Sequence, residues 1–209
     1  MADLSHLVTG VILAGGKNTR FYGEKSLIEI GNQSLIEIEI AMLKQFFKEL
    51  MIVTEKEILK QKCPDIAHSE DYFKNCGPLA GIHSALLNSK TDWIFVFACD
   101  MPNLNEALIF KQLDLIRSSS VLRASCTQKN DPFMAVIPRH IEGIEPLHGL
   151  YHKACLPFIE SMLKNQNYSI HGFTDKIRVN WFNVQPDDIV YFYNINTLHD
   201  LIQFKSKLS

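Results

Sequence analysis

Val11-Ile12-Leu13-Ala14-Gly15-Gly16-Lys17-Asn18-Thr19-Arg20-Phe21-Tyr22-Gly23-Glu24-Lys25 opens as an apolar run, breaks at paired glycines and continues as a loop carrying three cations. Leu7 to Leu13 has the composition of a buried parallel strand. Gly15 and Gly16 lack a Cβ, so their backbone N–H groups can approach a ligand closely. With Lys17, Arg20 and Lys25, such a loop suits a phosphate chain. Two familiar phosphate motifs do not fit. G-x-G-x-x-G is absent, and Glu24 separates Gly23 from Lys25 where a P-loop needs Gly and Lys adjacent. A strand-to-helix turn with solvated charges is the alternative. Against it, glycines and cations gather at the C-terminal end of a strand, where open α/β sheets bind ligands.

The bulk numbers limit the function classes. The chain has 209 residues, 46% hydrophobic and 21% charged, which fits one large domain or two small ones with a sizeable core; the alternation of strands and helices, with no repeat or linker composition, makes it one α/β domain over residues 1–209. A net charge of −2 gives no basic face for nucleic acid. Five cysteines without a C-x-x-C pair exclude a zinc ribbon or disulfide framework and suit a reducing, cytoplasmic compartment. Met1 to His6 lacks a signal-peptide pattern, and no apolar run reaches membrane-span length.

Further along, Leu27 to Gln33 reads as a short extended piece with a turn at Gly31-Asn32. Ser34 and Glu37 form a capping-box pattern, with Leu35, Ile38, Met42, Leu43 and Phe46 as the apolar face of the helix that follows. Glu49 to Val53 is a second strand ending at Thr54, where ligand contacts are expected. Glu55 to Lys62 is helical, and Ile66 to Ser69 is an edge strand delivering Glu70 and Asp71. Gly77-Pro78-Leu79-Ala80-Gly81-Ile82 starts a helix, with proline in its first turn. Trp93 to Ala98 is the most apolar strand, and Asp100 follows at its tip. That aspartate either begins a turn or caps the next helix, or it holds Mg²⁺, which is bound through a carboxylate and substrate phosphates. Asn105 to Arg117 is helical.

Val121 to Thr127 and Pro132 to Ile137 read as a hairpin that adds an antiparallel strand and caps the site. Lys153 to Lys164 and Ser169 to Lys176 read as helices, Ile177 to Phe182 and Ile189 to Phe192 as strands, and Leu198 to Lys207 as a closing helix. His148 and His152 have the spacing of helix-face metal ligands but lack companions, so His152 is read as lying near a bound anion. Asn194 and Asn196 either make local Asx turns or contact a ligand. Alternation of strands and helices from Leu7 to Ser118 predicts right-handed βαβ units and a mostly parallel sheet.

The opening string, L-A-G-G-x-x-x-R-F-x-G-E-K, resembles the signature loop of the MobA family, the molybdenum-cofactor guanylyltransferases, which usually reads L-A-G-G-x-S-x-R-M-G-x-D-K. Asn18, Phe21, Tyr22 and Glu24 depart from it, while the interval from Arg20 to Lys25 is kept. G-P-L-A-G-I at Gly77 to Ile82, C-D-M-P at Cys99 to Pro102, P-L-x-G-L-Y at Pro146 to Tyr151 and N-I-N-T-x-x-D-L at Asn194 to Leu201 match it too, in family order.

The resemblance implies a three-layer Rossmann-like nucleotidyltransferase fold. It implies transfer of GMP from GTP to the terminal phosphate of molybdopterin, with pyrophosphate released. GTP is then expected against Leu13, Ala14, Gly15, Gly16, Lys25, Thr54, Asp71, Gly77, Pro78, Leu79 and Asp100. Asp100 is the expected Mg²⁺ ligand, with Lys25 and Arg20 as catalytic cations and Asn194, Asn196 and His152 toward molybdopterin. Cofactor-insertion chaperones and molybdoenzymes are expected partners. A cytidylyltransferase of the same cofactor or a sugar-phosphate nucleotidylyltransferase is one rival, although those families usually read L-A-A-G and lack G-P-L-A-G. A non-catalytic cofactor carrier is the other, and retention of Lys25 and Asp100 weighs against it.

Overall fold

The computed structural model describes residues 5–15, 25–30, 32–118, 133–195, 200 and 202. Its main sheet is assembled from β1 (Val8–Leu13), β4 (Glu49–Val53), β5 (Ala67–Ser69), β6 (Trp93–Ala98), β7 (Ala135–His140), β9 (His148–His152) and β10 (Val179–Asn183). Their spatial order is β10-β7-β9-β6-β1-β4-β5, and a short β8 (Gly143–Ile144) pairs with β7. A separate antiparallel pair, β2 (Glu29–Ile30) with β3 (Gln33–Ser34), precedes the first helix.

Strands β6, β1, β4 and β5 are mutually parallel, as apolar strands joined by helices require. In β6 all six residues are buried, and the rings of Phe95 and Phe97 stack at 4.4 Å between centroids. Burial of each such ring is worth ~1.5–3 kcal/mol. At Gly10 in β1 an added Cβ would lie 2.6 Å from Leu50 Cδ2 and 2.7 Å from Phe47 Cδ2, so glycine lets that ring lie against the strand.

Helices α1 (Leu35–Leu43), α2 (Glu57–Lys62) and α4 (Glu106–Ser118) share one core cluster with the sheet. Helices α3 (Pro78–Asn88), α5 (Leu156–Lys164) and α6 (Ile170–Thr174) belong to a second one. The result is three layers, as expected. The caps follow from sequence. Glu37 Oε2 accepts from Ser34 N at 2.7 Å, and Asn105 Oδ1 accepts from Leu108 N at 3.1 Å.

Several expectations change. On α1 the buried residues are Leu35, Ile36, Glu39, Ile40 and Leu43, so the core-facing stripe is rotated from the one centred on Ile38 and Met42. Residues 186–192 form a 3-10 helix, because Pro186 and two aspartates start a turn there. Phe192 still packs with Leu108 and Val184. Strand β7 is built into the main sheet, antiparallel to β9 and parallel to β10. It therefore extends the sheet and does not cap the site. Its expected hairpin partner, Val121 to Thr127, lies outside the described residues, as does most of the closing helix.

His148 and His152 lie on a strand, where the same interval spans a rise of roughly 13 Å and cannot close on one ion. Cys63, Cys76, Cys99 and Cys155 carry no disulfide. Among the described residues no helix is long and apolar enough to cross a membrane.

Candidate nucleotidyl-transfer site

Because β1, β4, β5 and β6 run in parallel, their C-terminal ends lie along one edge. The segments that leave this edge are held to one another. Ala14 N donates to Val53 O at 3.0 Å and Cys99 N to Leu13 O at 3.3 Å, so the glycine turn after β1 lies between the ends of β4 and β6. Gly15 is exposed, and a Cβ built on it would meet nothing within 4 Å, which leaves space in front of its backbone. Thr54 is 1% exposed, and its hydroxyl donates to Ala14 O at 3.3 Å while accepting from Lys56 N at 3.1 Å. Its side chain therefore braces the turn from behind.

On the second face, Ser69 ends β5 and the chain turns through Asp71. Tyr72 N donates to Ser84 Oγ at 2.8 Å, which fastens this loop to α3. A Cβ on Gly81 would lie 3.1 Å from Leu13 Cδ2 and 3.6 Å from Asp71 Oδ1, so Leu13, Asp71 and the start of α3 are neighbours. Asp71 Oδ1 is buried with no hydrogen-bond partner. Burial, followed by the negative charge of Glu55, holds its carboxyl above the usual carboxylate range. Gly77 has φ 71 and ψ −166, a region open in practice only to glycine, and Pro78 then begins α3. The glycine-proline pair is thus a backbone requirement of the turn.

Asp100 follows β6 at the same edge and is partly exposed. Its carbonyl accepts from Ile195 N at 2.8 Å, which brings the Asn194-Ile195 segment to the end of β6. Ile195 is buried against Leu35 of α1, while Asn194 is exposed. A residue that the sequence reading missed lies on the same helix. Glu39 is 3% exposed, and its Oε1 has no hydrogen-bond partner. Burial, then the charge of Asp100, raises its carboxyl well above the usual range. The stripe read from the sequence, through Ile38 and Met42, leaves Glu39 outside it; only the observed burial of Leu35, Ile36, Ile40 and Leu43 shows that Glu39 shares the inward face.

The structure therefore brings together Leu13, Ala14, Gly15, Thr54, Asp71, Gly77, Pro78, Leu79, Asp100 and Asn194. It does not bring His152 to them. His152 pairs with Trp93, the first residue of β6, and its ring lies 5.1 Å from that indole. The strand separates it from the Asp100 end by roughly 16 Å, so His152 lies away from this site. Gly16, Lys17, Arg20 and Asn196 lie outside the described residues, as does the side chain of Lys25; the Lys25 backbone opens a 3-10 turn, Lys25–Leu27.

This edge has the features of a nucleotide site: an open glycine turn, a glycine-started helix opposite, and a carboxylate at a strand tip. Residues 10–176 match the family model described as a MobA-like NTP transferase domain. The chain belongs to the MobA-like NTP transferase family. It is a nucleotidyltransferase. Among its MobA-like relatives, a probable molybdenum cofactor guanylyltransferase of Peptoclostridium acidaminophilum is 31% identical over 202 residues, covering 94% of this chain and 87% of that one. A protein of the same description from Natranaerobius thermophilus is 31% identical over 209 residues, covering 96% of each.

The fold is shared with the molybdopterin-guanine dinucleotide biosynthesis protein A of Archaeoglobus fulgidus. That structure aligns at a TM-score of 0.77 with 22% identity, over 96% of this chain and 98% of the other. A CMP:2-keto-3-deoxy-manno-octonic acid synthetase aligns at 0.71 with 12% identity, covering 96% of this chain and 98% of that one. The fold of this chain is therefore common to both of these proteins.

Proposed function

We propose that this protein is one domain that transfers GMP from GTP to the terminal phosphate of molybdopterin, forming the guanine dinucleotide cofactor and releasing pyrophosphate. The observation that carries the reading is the position of Asp100, which follows a fully buried strand whose end is hydrogen-bonded to the glycine turn of β1. Relatives at about the same length and 31% identity carry the name molybdenum cofactor guanylyltransferase.

Each group then has a task. The backbone from Leu13 to Gly15, with Gly16 beyond it, lies along the triphosphate. Lys17, Arg20 and Lys25 offset the charge that collects on the leaving pyrophosphate. Gly77, Pro78 and Leu79 bring backbone to the guanine edge. Asp71 offers an acceptor oxygen that no donor meets, suited to an N–H or O–H of the nucleotide. Thr54 keeps the turn in shape through Ala14. Asn194 and Asn196 lie toward the acceptor.

Asp100 fits Mg²⁺: it offers hard oxygen donors at a strand tip and is partly open to solvent. When bound there, the ion supplies charge neutralisation on phosphate oxygens. The acceptor phosphate is largely ionised at neutral pH, because its second pKa is near 6. No strong general base is therefore needed, and positioning and electrostatics carry the rate. The expected compartment is the cytoplasm, and the expected recipients of the product are insertion chaperones and molybdoenzymes.

The test is a panel of the four nucleoside triphosphates with molybdopterin and Mg²⁺, scored for pyrophosphate release. GTP should be preferred by a large factor, up to ~10⁴, as a site built to hydrogen-bond one base rejects others. Equal turnover with CTP or ATP would refute the guanylyl assignment and leave the nucleotidyltransferase intact.

A further inference from the structure

Residues 190–195 form a strap across the edge that carries Asp100, fastened at three points. Asn103 Nδ2 donates to Val190 O at 3.2 Å, and the Phe192 side chain packs with Leu108 and Val184. Ile195 N donates to Asp100 O at 2.8 Å while the Ile195 side chain packs on Leu35. Phe192 and Ile195 are each 4% exposed. Between them the Tyr193 backbone is extended, with φ −74 and ψ 129, so its side chain points away from that of Phe192. Tyr193 is 58% exposed, and Asn194 is exposed beside it.

A single exposed ring needs no explanation by itself. Its place sets this one apart. Two residues of extended chain span at most about 7 Å, so Tyr193 lies within that reach of the residue bonded to Asp100. The anchors on either side hold its backbone, and only two side-chain torsions are left to order when a ligand meets the ring. A tyrosine face suits a flat heteroaromatic ring. The strap packs on Leu108 of α4 and Leu35 of α1, whereas α3, which starts at Gly77, belongs to the layer on the other face of the sheet. With the guanine at the start of α3, the strap is left to the acceptor. That acceptor carries its phosphate on a short arm from a fused pterin system whose pyrimidine ring is flat. With the phosphate at the Asp100 end, the ring system can extend along the strap.

We propose that the Tyr193 ring is the stacking platform for the pterin system of the acceptor. This rests on the reading of the acceptor as molybdopterin. The ring binds the end of the acceptor remote from the reacting phosphate. Its loss therefore acts on KM for the acceptor and leaves kcat at saturating acceptor nearly unchanged. The nucleotide, held from the other layer, does not feel it.

The experiment compares Tyr193→Ala, Tyr193→Leu and Tyr193→Phe with wild type in steady-state pyrophosphate release. Molybdopterin is varied at saturating GTP, then GTP at saturating molybdopterin. Matched melting temperatures check that the exposed position tolerates each change. The Ala and Leu proteins should each show a KM for molybdopterin raised ~10-fold, as loss of one stacked ring does. The Phe protein should keep the wild-type value, and KM for GTP should not move in any of them. An unchanged KM for molybdopterin in the Ala protein overturns the proposal and leaves the guanylyltransferase reading in place. Leu restoring the wild-type KM overturns it as well, because an aliphatic side chain has no stacking face. A rise in KM for GTP alone would move the ring to the donor side and overturn it too. If wild type itself releases no pyrophosphate with GTP and molybdopterin, the acceptor reading fails and takes this inference with it.

Discussion

The backbone N–H of Ile195 donates to the carbonyl of Asp100 at 2.8 Å. This one bond joins two strings that lie far apart in the chain, C-D-M-P and N-I-N-T. It sets the exposed Asn194 beside the strand tip that carries the aspartate. It also orients the Asp100 peptide, so the side chain leaves a fixed backbone.

Asp100→Asn keeps the size of the side chain and removes its charge. Pyrophosphate release should fall by ~10²-fold or more, while nucleotide binding measured by fluorescence displacement falls less. Full turnover in the Asn protein would remove Asp100 from the catalytic set.

Gly77 adopts a backbone conformation that other residues enter only under strain. Gly77→Ala should cost ~1–3 kcal/mol even though a Cβ there meets nothing within 4 Å. The loss should appear both as a lower melting temperature and as a weaker affinity for GTP, because the start of α3 shifts. A protein that melts and binds as wild type would show that the turn tolerates the side chain.

His148 makes stability depend on acid. Complete burial lowers its pKa to about 4 from the ordinary 6.5. The ring is enclosed by Phe95, Phe97 and Phe192, and its Nδ1 accepts from Gln112 Nε2 at 3.1 Å. Between pH 6.5 and 4 the unfolded chain binds a proton at this position that the folded chain does not. Stability therefore rises with pH in that window, is complete above it, and falls on acidification by up to ~1.4 kcal/mol per pH unit from this group. Urea denaturation at pH 7.5, 6 and 5 should show the decline, and His148→Gln should flatten it. An unchanged slope in the variant would assign the acid sensitivity to other groups.

Lys25 is argued from sequence, through its fixed interval from Arg20. Lys25→Ala should fold normally and lose catalysis steeply, because its ammonium acts on charge developing on the leaving pyrophosphate. Lys25→Arg should recover only part of the rate, since a planar fork does not replace a compact point charge. Steady-state rates with matched melting temperatures decide it. An Ala protein with unchanged kcat/KM would return Lys25 to the solvated surface.

Local chemistry made much of this legible in the chain. The strands at Val8, Glu49 and Trp93, the Ser34–Glu37 cap, the glycine-proline start of α3 and the glycine turn after β1 all follow from side-chain period and backbone preference within a few residues. Parallel pairing then places the ends of those strands, and with them Leu13, Thr54 and Asp100, along one edge.

What the sequence could not decide was anything set by a distant partner. Ile189 to Phe192 has the composition of a strand, but Pro186 starts a 3-10 helix that packs Phe192 on Leu108. His152 has the chemistry of an anion contact but is paired with the wrong end of β6, a matter of register alone. Glu39 has the composition of a solvated helix residue. The rotation of α1 against the sheet, fixed by Ile36, Ile40 and Leu43, turns it inward. Periodicity and backbone preference act over a few residues and are written in the chain. Register, helix rotation and the desolvation of a charge depend on segments that meet only when the chain is folded.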